Sequence, residues 1–312
     1  MKKILAILLS VLLFCLLCGC GAPVEAETGE GLRIVATVFP AYDFARQIAG
    51  ERAQVTLLLP PGAESHSFEP TARDMIRIQQ SDLFFLTGGE SEAWAEELLD
   101  SGEDLRSLAM LDCVNALEEE VKEGMQAVEE EEEEEGPEFD EHVWTSPRNA
   151  IAICTALCDE LCEIDPEGEN EYRKNLRAYT AELEALDNAF RSVVENASHR
   201  TVVFADRFPV RYFVEEYGLD YFAAFPGCAE DTEPSARTVA FLIDRVREEE
   251  LPAVFYIEFS NEKMADVICE DTGCRKLLFH SCHSVSAEDL KNGTSYLDLM
   301  RQNVSALKEA LG

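Results

Sequence analysis

"DPEGENEYRKNLRAYTAELEALDNAFRSVV", residues 165–194, decides how the chain is organised. Asp165 suits a helix N-cap, Pro166 the first helical position, and the acids that follow suit the positive end of the helix dipole. Apolar residues then recur at Tyr172, Leu176, Tyr179, Leu183, Leu186, Phe190 and Val193, at alternating spacings of four and three. That is one seam about seven turns long. A coiled-coil dimer is one reading of it. No second long heptad segment accompanies it, so a helix that spans and packs on two flanking lobes is the better one.

On both sides of this helix, short β-branched or apolar runs alternate with helical patterns. The strand candidates are Arg33–Val38, Val55–Leu59 and Leu83–Thr87, then Thr201–Ala205, Ala253–Ile257 and Lys276–Phe279. Helical stretches between them include Ala41–Ala49, Ala72–Gln80, Glu92–Asp100 and Ala236–Glu249. Such alternation predicts parallel sheets with helices on their faces, and it occurs once before residue 150 and again after 200. The expected fold class is α/β: two lobes, each with a mainly parallel sheet flanked by helices, joined by one long connecting helix. The boundaries are residues 32–164, 165–197 and 198–312.

The first 31 residues read differently. Lys2 and Lys3 precede an apolar run from Ile4 to Cys18, too short for a comfortable membrane span. The run ends in Leu17-Cys18-Gly19-Cys20, which resembles a bacterial lipobox. Residues 1–19 are expected to be a lipoprotein signal peptide, Cys20 the lipidated residue, and residues 20–31 a flexible tether. The formal charge of −36, from 26 basic and 62 acidic residues, argues against nucleic acid and anionic membrane surfaces as partners. It is compatible with cations. Eight cysteines lie outside the targeting region. Cys154, Cys158 and Cys162 share one helix face and are expected to be buried small apolar groups rather than a soft-metal site. Cys269 and Cys274, either side of a Glu-Asp-Thr-Gly turn, could form a local disulfide.

The histidines gain meaning from their place relative to the strands. His66 follows the second strand through a Pro-Pro-Gly turn, and His280 and His283 lie just past the last strand. Asp206 closes the Thr201–Ala205 strand, and Glu258 closes Ala253–Ile257. Ligands of open α/β sheets bind beyond the carboxyl ends of the strands, so residues from both halves fall at the expected edge. His142 lies in a long connection and this reasoning does not fix its position. His199 precedes its strand and reads as a solvated residue. Imidazole with carboxylate is the usual shell of zinc, and of manganese as the carboxylate share rises. Outside the targeting region, neither HExxH nor a CxxC pair is present.

With these residues in view, the mature chain resembles the substrate-binding lipoproteins of zinc and manganese ABC transporters. "LLPPGAESHSFEPTARD" (58–74) is similar to the family's loop carrying its first histidine ligand, here His66. "DEHVWTSPRNA" (140–150) is similar to its Asp-Pro-His-Val-Trp segment, with Glu141 in place of proline and His142 as second ligand. The connecting helix and the closing "NGTSYLDLMRQNVSALKEAL" (292–311) also match. In "VFADRFPVRYFVEEYGL" (203–219) strict spacing places the third ligand at Arg207, which cannot coordinate a cation; one inserted residue places it at Asp206. In "LLFHSCHSVSAEDL" (277–290) His283 aligns best with the fourth, His280 is a possible further participant, and Glu258 has a supporting role. The resemblance thus implies Zn²⁺, with Mn²⁺ as the alternative, held by His66, His142, Asp206 and His283. It further implies a monomer that delivers the ion to a membrane ABC permease, with no catalytic role.

Two other classes compete. A zinc hydrolase would need an open coordination position and a base, for which Glu141 or Glu258 could serve. An adhesin would use the acidic surface as its contact. The run Glu129–Glu135 reads as a self-repelling loop, mobile over about residues 118–138, beside the site and able to gather cations weakly.

Overall fold

In the computed structural model the described residues are 31–63, 68–100, 105–126, 138–229 and 234–312. Among the described residues the β-branched and aromatic runs become eight strands: β1 Leu32–Ala36, β2 Ala53–Leu57, β3 Leu83–Leu86, β4 Ser107–Ala109, β5 Thr201–Arg207, β6 Asp220–Phe225, β7 Ala253–Tyr256 and β8 Arg275–Leu278. They form two four-stranded sheets, β2-β1-β3-β4 and β6-β5-β7-β8, and every pairing is parallel. Six strands match the predicted runs to within two residues. β4 and β6 were not predicted: the first is three residues long, and the second opens on an exposed Asp220.

Helices connect the strands, as parallel pairing requires. They are α1 Phe39–Ala49, α2 Ala72–Gln79, α3 Ala93–Asp100, α4 Pro147–Ile164, α5 Glu169–Glu195, α6 Arg211–Tyr217, α7 Ala236–Glu248, α8 Lys263–Thr272, α9 Ala287–Asn292 and α10 Tyr296–Leu311. Their starts obey local capping rules. Ser146, Ser235, Ser286 and Ser295 accept the third residue's amide at the heads of α4, α7, α9 and α10, and Thr71 does so for α2.

The connecting helix α5 has 27 residues and is about 40 Å long. Tyr172, Tyr179, Leu183, Leu186 and Phe190 of the predicted seam are buried on it. It packs on α1 and α4 of the first lobe and on α10, the closing helix. Its entry differs from the sequence reading. Asp165 heads only a single 3-10 turn, Pro166–Gly168, without capping it. The carboxylate instead accepts from Arg52 Nε (2.8 Å) and Nη2 (2.6 Å) and from the Tyr172 hydroxyl (2.7 Å). A long-range ion pair outcompetes the local cap there.

One hydrophobic core runs through both lobes, from Ile34 and Phe44 through Trp144 and Leu183 to Phe204 and Phe255. Cys154 and Cys158 are buried in it as apolar groups. Cys269 and Cys274 are thiols with sulfurs 3.4 Å apart, at the end of α8 and the start of β8. Of the loop expected over 118–138, the described part is tied down. Glu118 bridges Phe139, Glu119 N–H donates to the Glu138 carbonyl (2.9 Å), and Gln126 N–H donates to that of Ala224 (2.8 Å). Residues 127–137, with Glu129–Glu135, lie outside the described residues. So do residues 1–30, with Cys20, and the candidate ligand His66.

Candidate metal centre

The two sheets share one topology, and in the second the crevice opens between β5 and β7, where the strand order reverses. Asp206 lies at the end of β5 and Glu258 just past β7, so both stand at that switch point. Between Phe204 and Arg207, β5 carries one residue more than its partner β6. This bulge is the physical counterpart of the residue inserted in the sequence match, and bulges commonly re-aim side chains beside sites. Asp206 is buried at 6% exposure, accepts from Arg207 N–H at 2.9 Å and bonds the Ser260 hydroxyl. Burial holds its carboxyl above the usual range, against the lowering effect of these bonds.

His142 arrives by a different route. Asp140, Glu141 and His142 are all buried, in the chain that returns from the acidic run to α4. Asp140 Oδ1 accepts from the His142 backbone N–H (2.8 Å) and faces Nδ1 of the ring (3.2 Å). Burial disfavours the charged imidazole, but Asp140, Glu141 and Glu119 outweigh it and hold its pKa above the usual value. The Tyr212 hydroxyl donates to the Asp140 carbonyl at 2.8 Å, fixing this turn to α6. Glu141 faces away from the imidazole toward Ser91, which donates to it from N–H (2.8 Å) and from its hydroxyl. Gly89 makes room for that carboxylate: a Cβ there would stand 2.6 Å from Glu141 Oε1.

His283 sits in a short loop bonded from several directions. Glu258 accepts from Ser281 N–H (2.7 Å) and hydroxyl (2.6 Å), and Trp144 Nε1 donates to the Ser281 carbonyl (2.8 Å). Phe39 N–H donates to the His283 carbonyl (3.3 Å), and Gly62 N–H donates to the Ser284 hydroxyl (3.0 Å). Residues of the first lobe therefore hold a loop of the second. The rings of His142 and His283 meet edge to face, centroids 5.1 Å apart, and Trp144 packs on both at 5.5 and 5.0 Å.

Together His142, Asp206, Glu258 and His283 line one cavity of about 640 Å³, with Gly62 and Ala63, which immediately precede the undescribed His66 segment, on its wall. The ligand atoms of His142, Asp206 and His283 do not all come within 4.8 Å of one another, so one ion touching all three requires at least one side chain to move. His280 points elsewhere. Its Nε2 is 3.3 Å from Gln302 Oε1, its backbone is clamped by Asn303, and it lines a smaller cavity of about 260 Å³. His199 lies at the other end of β5, its amide on the Leu311 carbonyl. Glu141 and Glu258, the bases a hydrolase would need, both have their carboxylates bonded to serines. Sequence reasoning gave no role to Asp140, Trp144 or Ser260, although the first two lie in the matched Asp-Glu-His-Val-Trp segment.

One buried acid near the site has a measurable consequence. Burial pushes Glu92 up to about 7 from its ordinary 4.5, with the Gly88 amide (2.9 Å) offsetting part and the neighbouring Glu141 adding to the rise. A carboxyl whose folded pKa is raised keeps its proton longer in the folded state. Stability therefore falls as pH climbs from about 4.5 to 7, by at most about 3 kcal/mol. Glu92→Gln is expected to melt several degrees above the parent at pH 8 and level with it at pH 4. Equal melting at pH 8 would show that Glu92 is ionised without cost.

The family model of the periplasmic component A of zinc-uptake complexes, ZnuA, matches residues 34–310. The chain belongs to that family. Among its relatives are the zinc-binding lipoprotein AdcA of Streptococcus pneumoniae, 31% identical over 99% of this chain and 61% of AdcA, and the manganese-binding lipoprotein MntA of Halalkalibacterium halodurans, 28% identical over 100% and 99%. The chain thus spans about three fifths of the length of AdcA. The crystal structure of the Zn(II)-bound ZnuA-like domain of pneumococcal AdcA superposes with a TM-score of 0.75 at 29% identity, covering 90% of this chain and 99% of that one. No described helix is long and apolar enough to cross a membrane.

Proposed function

We propose that this ZnuA-family protein captures a divalent transition metal, zinc before manganese, and passes it to a membrane permease of ABC type. His66, His142, Asp206 and His283 are the proposed ligands, with Glu258 holding the His283 loop and Cys20 carrying the lipid that tethers the body outside the membrane. What carries the reading is the convergence of His142, Asp206 and His283, from three separate segments, on one cavity. The imidazole spacing fits zinc: two imidazoles on one tetrahedral zinc, with Zn–N of about 2.0–2.1 Å, have centroids about 5 Å apart, and His142 and His283 stand at 5.1 Å. Nδ1 of His142 is engaged by Asp140, so Nε2 is the nitrogen that takes the metal. This is the carboxylate–histidine–metal arrangement that fixes tautomer and raises ligand basicity.

Because the three side chains are too dispersed to touch one ion at once, binding draws them together, and neither sheet alone completes the shell. The shared core restricts that movement to loops and small tilts. Asp206 supplies the one carboxylate; three imidazoles beside it favour zinc, whereas more oxygen would favour manganese. The test is metal content of residues 21–312 purified without chelator, followed by competition between the two ions. One zinc per chain that excess manganese fails to displace is expected. Preferential retention of manganese would reverse the assignment, and no retained metal would overturn it.

A further inference from the structure

We infer that Phe259 is the gate that controls how fast the ion leaves, an inference that rests on the metal site proposed above. Phe259 has φ +61°, a left-handed conformation that a bulky residue rarely holds. The residue is also 56% exposed at the rim of the main cavity, so burial does not account for the strain. The neighbours do. On one side Glu258 is fixed by two bonds from Ser281, in the loop that carries His283. On the other, the Ser260 hydroxyl bonds Asp206 and accepts from Glu262 N–H at 3.2 Å. With both flanks pinned to the walls of the site, the residue between them is turned outward. Its ring lies over Gly62 in the first lobe, where three ring carbons stand 3.6–4.0 Å from the place a Cβ would occupy.

A residue anchored in the second lobe thus covers backbone of the first, next to the segment that leads to His66. The Ser260–Asp206 bond links the cover to the ion. When Asp206 is drawn toward the imidazoles, Ser260 follows and Phe259 is pressed further over the rim. Opening requires the ring to swing off Gly62, and the left-handed strain assists that swing. A phenyl ring offers no metal-ligating atom, so Phe259 acts on the rate of exchange and not on the composition of the shell.

The experiment is stopped-flow release of zinc into excess chelator from residues 21–312, for the parent, Phe259→Gly, Phe259→Leu and His142→Ala, with zinc content and metal-free melting temperature measured on each. Phe259→Gly is expected to keep one zinc per chain, to melt no lower than the parent because glycine accepts the left-handed backbone, and to release zinc about tenfold faster or more. Phe259→Leu, which keeps apolar bulk, should fall between the two. Release from Phe259→Gly at the parent rate overturns the gate, as does a lowered melting temperature with zinc lost, which marks a structural role. A His142→Ala chain that still holds its zinc sinks the site itself, and the gate with it.

Discussion

Replacing His142 with alanine is expected to lower zinc affinity by at least about 100-fold, since even the partner that orients a ligating histidine accounts for 10–100-fold. His142 is 1% exposed and bonded to Asp140, so its ring is held in place before the ion arrives. Asp140→Asn should fall short of that loss, in the 10–100-fold range, because the imidazole remains but its orientation and basicity are no longer imposed. His66→Ala tests the ligand assigned from sequence alone, with the same expectation as His142→Ala. Competition against a chelator of known affinity measures all three. An His142→Ala chain with parent affinity would remove the cavity from consideration as the site, whatever the family's other members bind.

Trp144→Ala is expected to destabilise the fold by roughly 3–5 kcal/mol, the cost of emptying a fully buried aromatic site, lowering the melting temperature by about 5–10 °C. Trp144 has no exposed surface. Its Nε1 donates to Ser281 across the lobes, and its carbonyl accepts from the Tyr296 hydroxyl at 2.7 Å. Tyr296 in turn donates its N–H to buried Asp43 at 2.9 Å, closing a chain of contacts from α1 to α10. Alanine leaves both a void and an unbonded Ser281 carbonyl. Phenylalanine fills most of the void and loses only the hydrogen bond, so Trp144→Phe should cost about 1–3 kcal/mol. Calorimetry on the metal-free proteins separates the two. Melting of Trp144→Ala within about 2 °C of the parent would mean that the lobes are joined elsewhere. Because the same ring packs on His142 and His283, zinc affinity should fall alongside stability in Trp144→Ala.

Both expectations concern residues whose importance was unequally legible. His142 could be marked from the Asp-Glu-His-Val-Trp segment, yet its location could not, because a connection carries no periodicity to place it. Asp206 was readable only with an assumed insertion. Counting assumes regular pairing, and β5 departs from it at the one place that matters. His280 lies three residues from His283, an interval too short for sequence to separate their roles; Asn303 and Gln302, on a helix more than 20 residues downstream, turn it the other way. Asp165 looked like a cap because its immediate neighbours favour one, and Arg52, 113 positions earlier, redirected it.

What the sequence determined by itself is whatever local repetition encodes. The 3.6-residue seam of 165–194 required a long helix with one buried face, and the alternation of strand runs with helical runs required parallel sheets. The positions of Asp206, Glu258 and His283 relative to strand ends then required a shared edge. What only the tertiary structure decided is everything set by contacts between distant segments. These are the Asp140–His142 pair within a buried return loop, the serines that hold Glu141 and Glu258, the bulge that turns Asp206 inward, and the strained Phe259 between two anchored neighbours. Periodicity is a property of neighbours along the chain, but the free energy of burying a charge or straining a backbone depends on partners that only folding brings near.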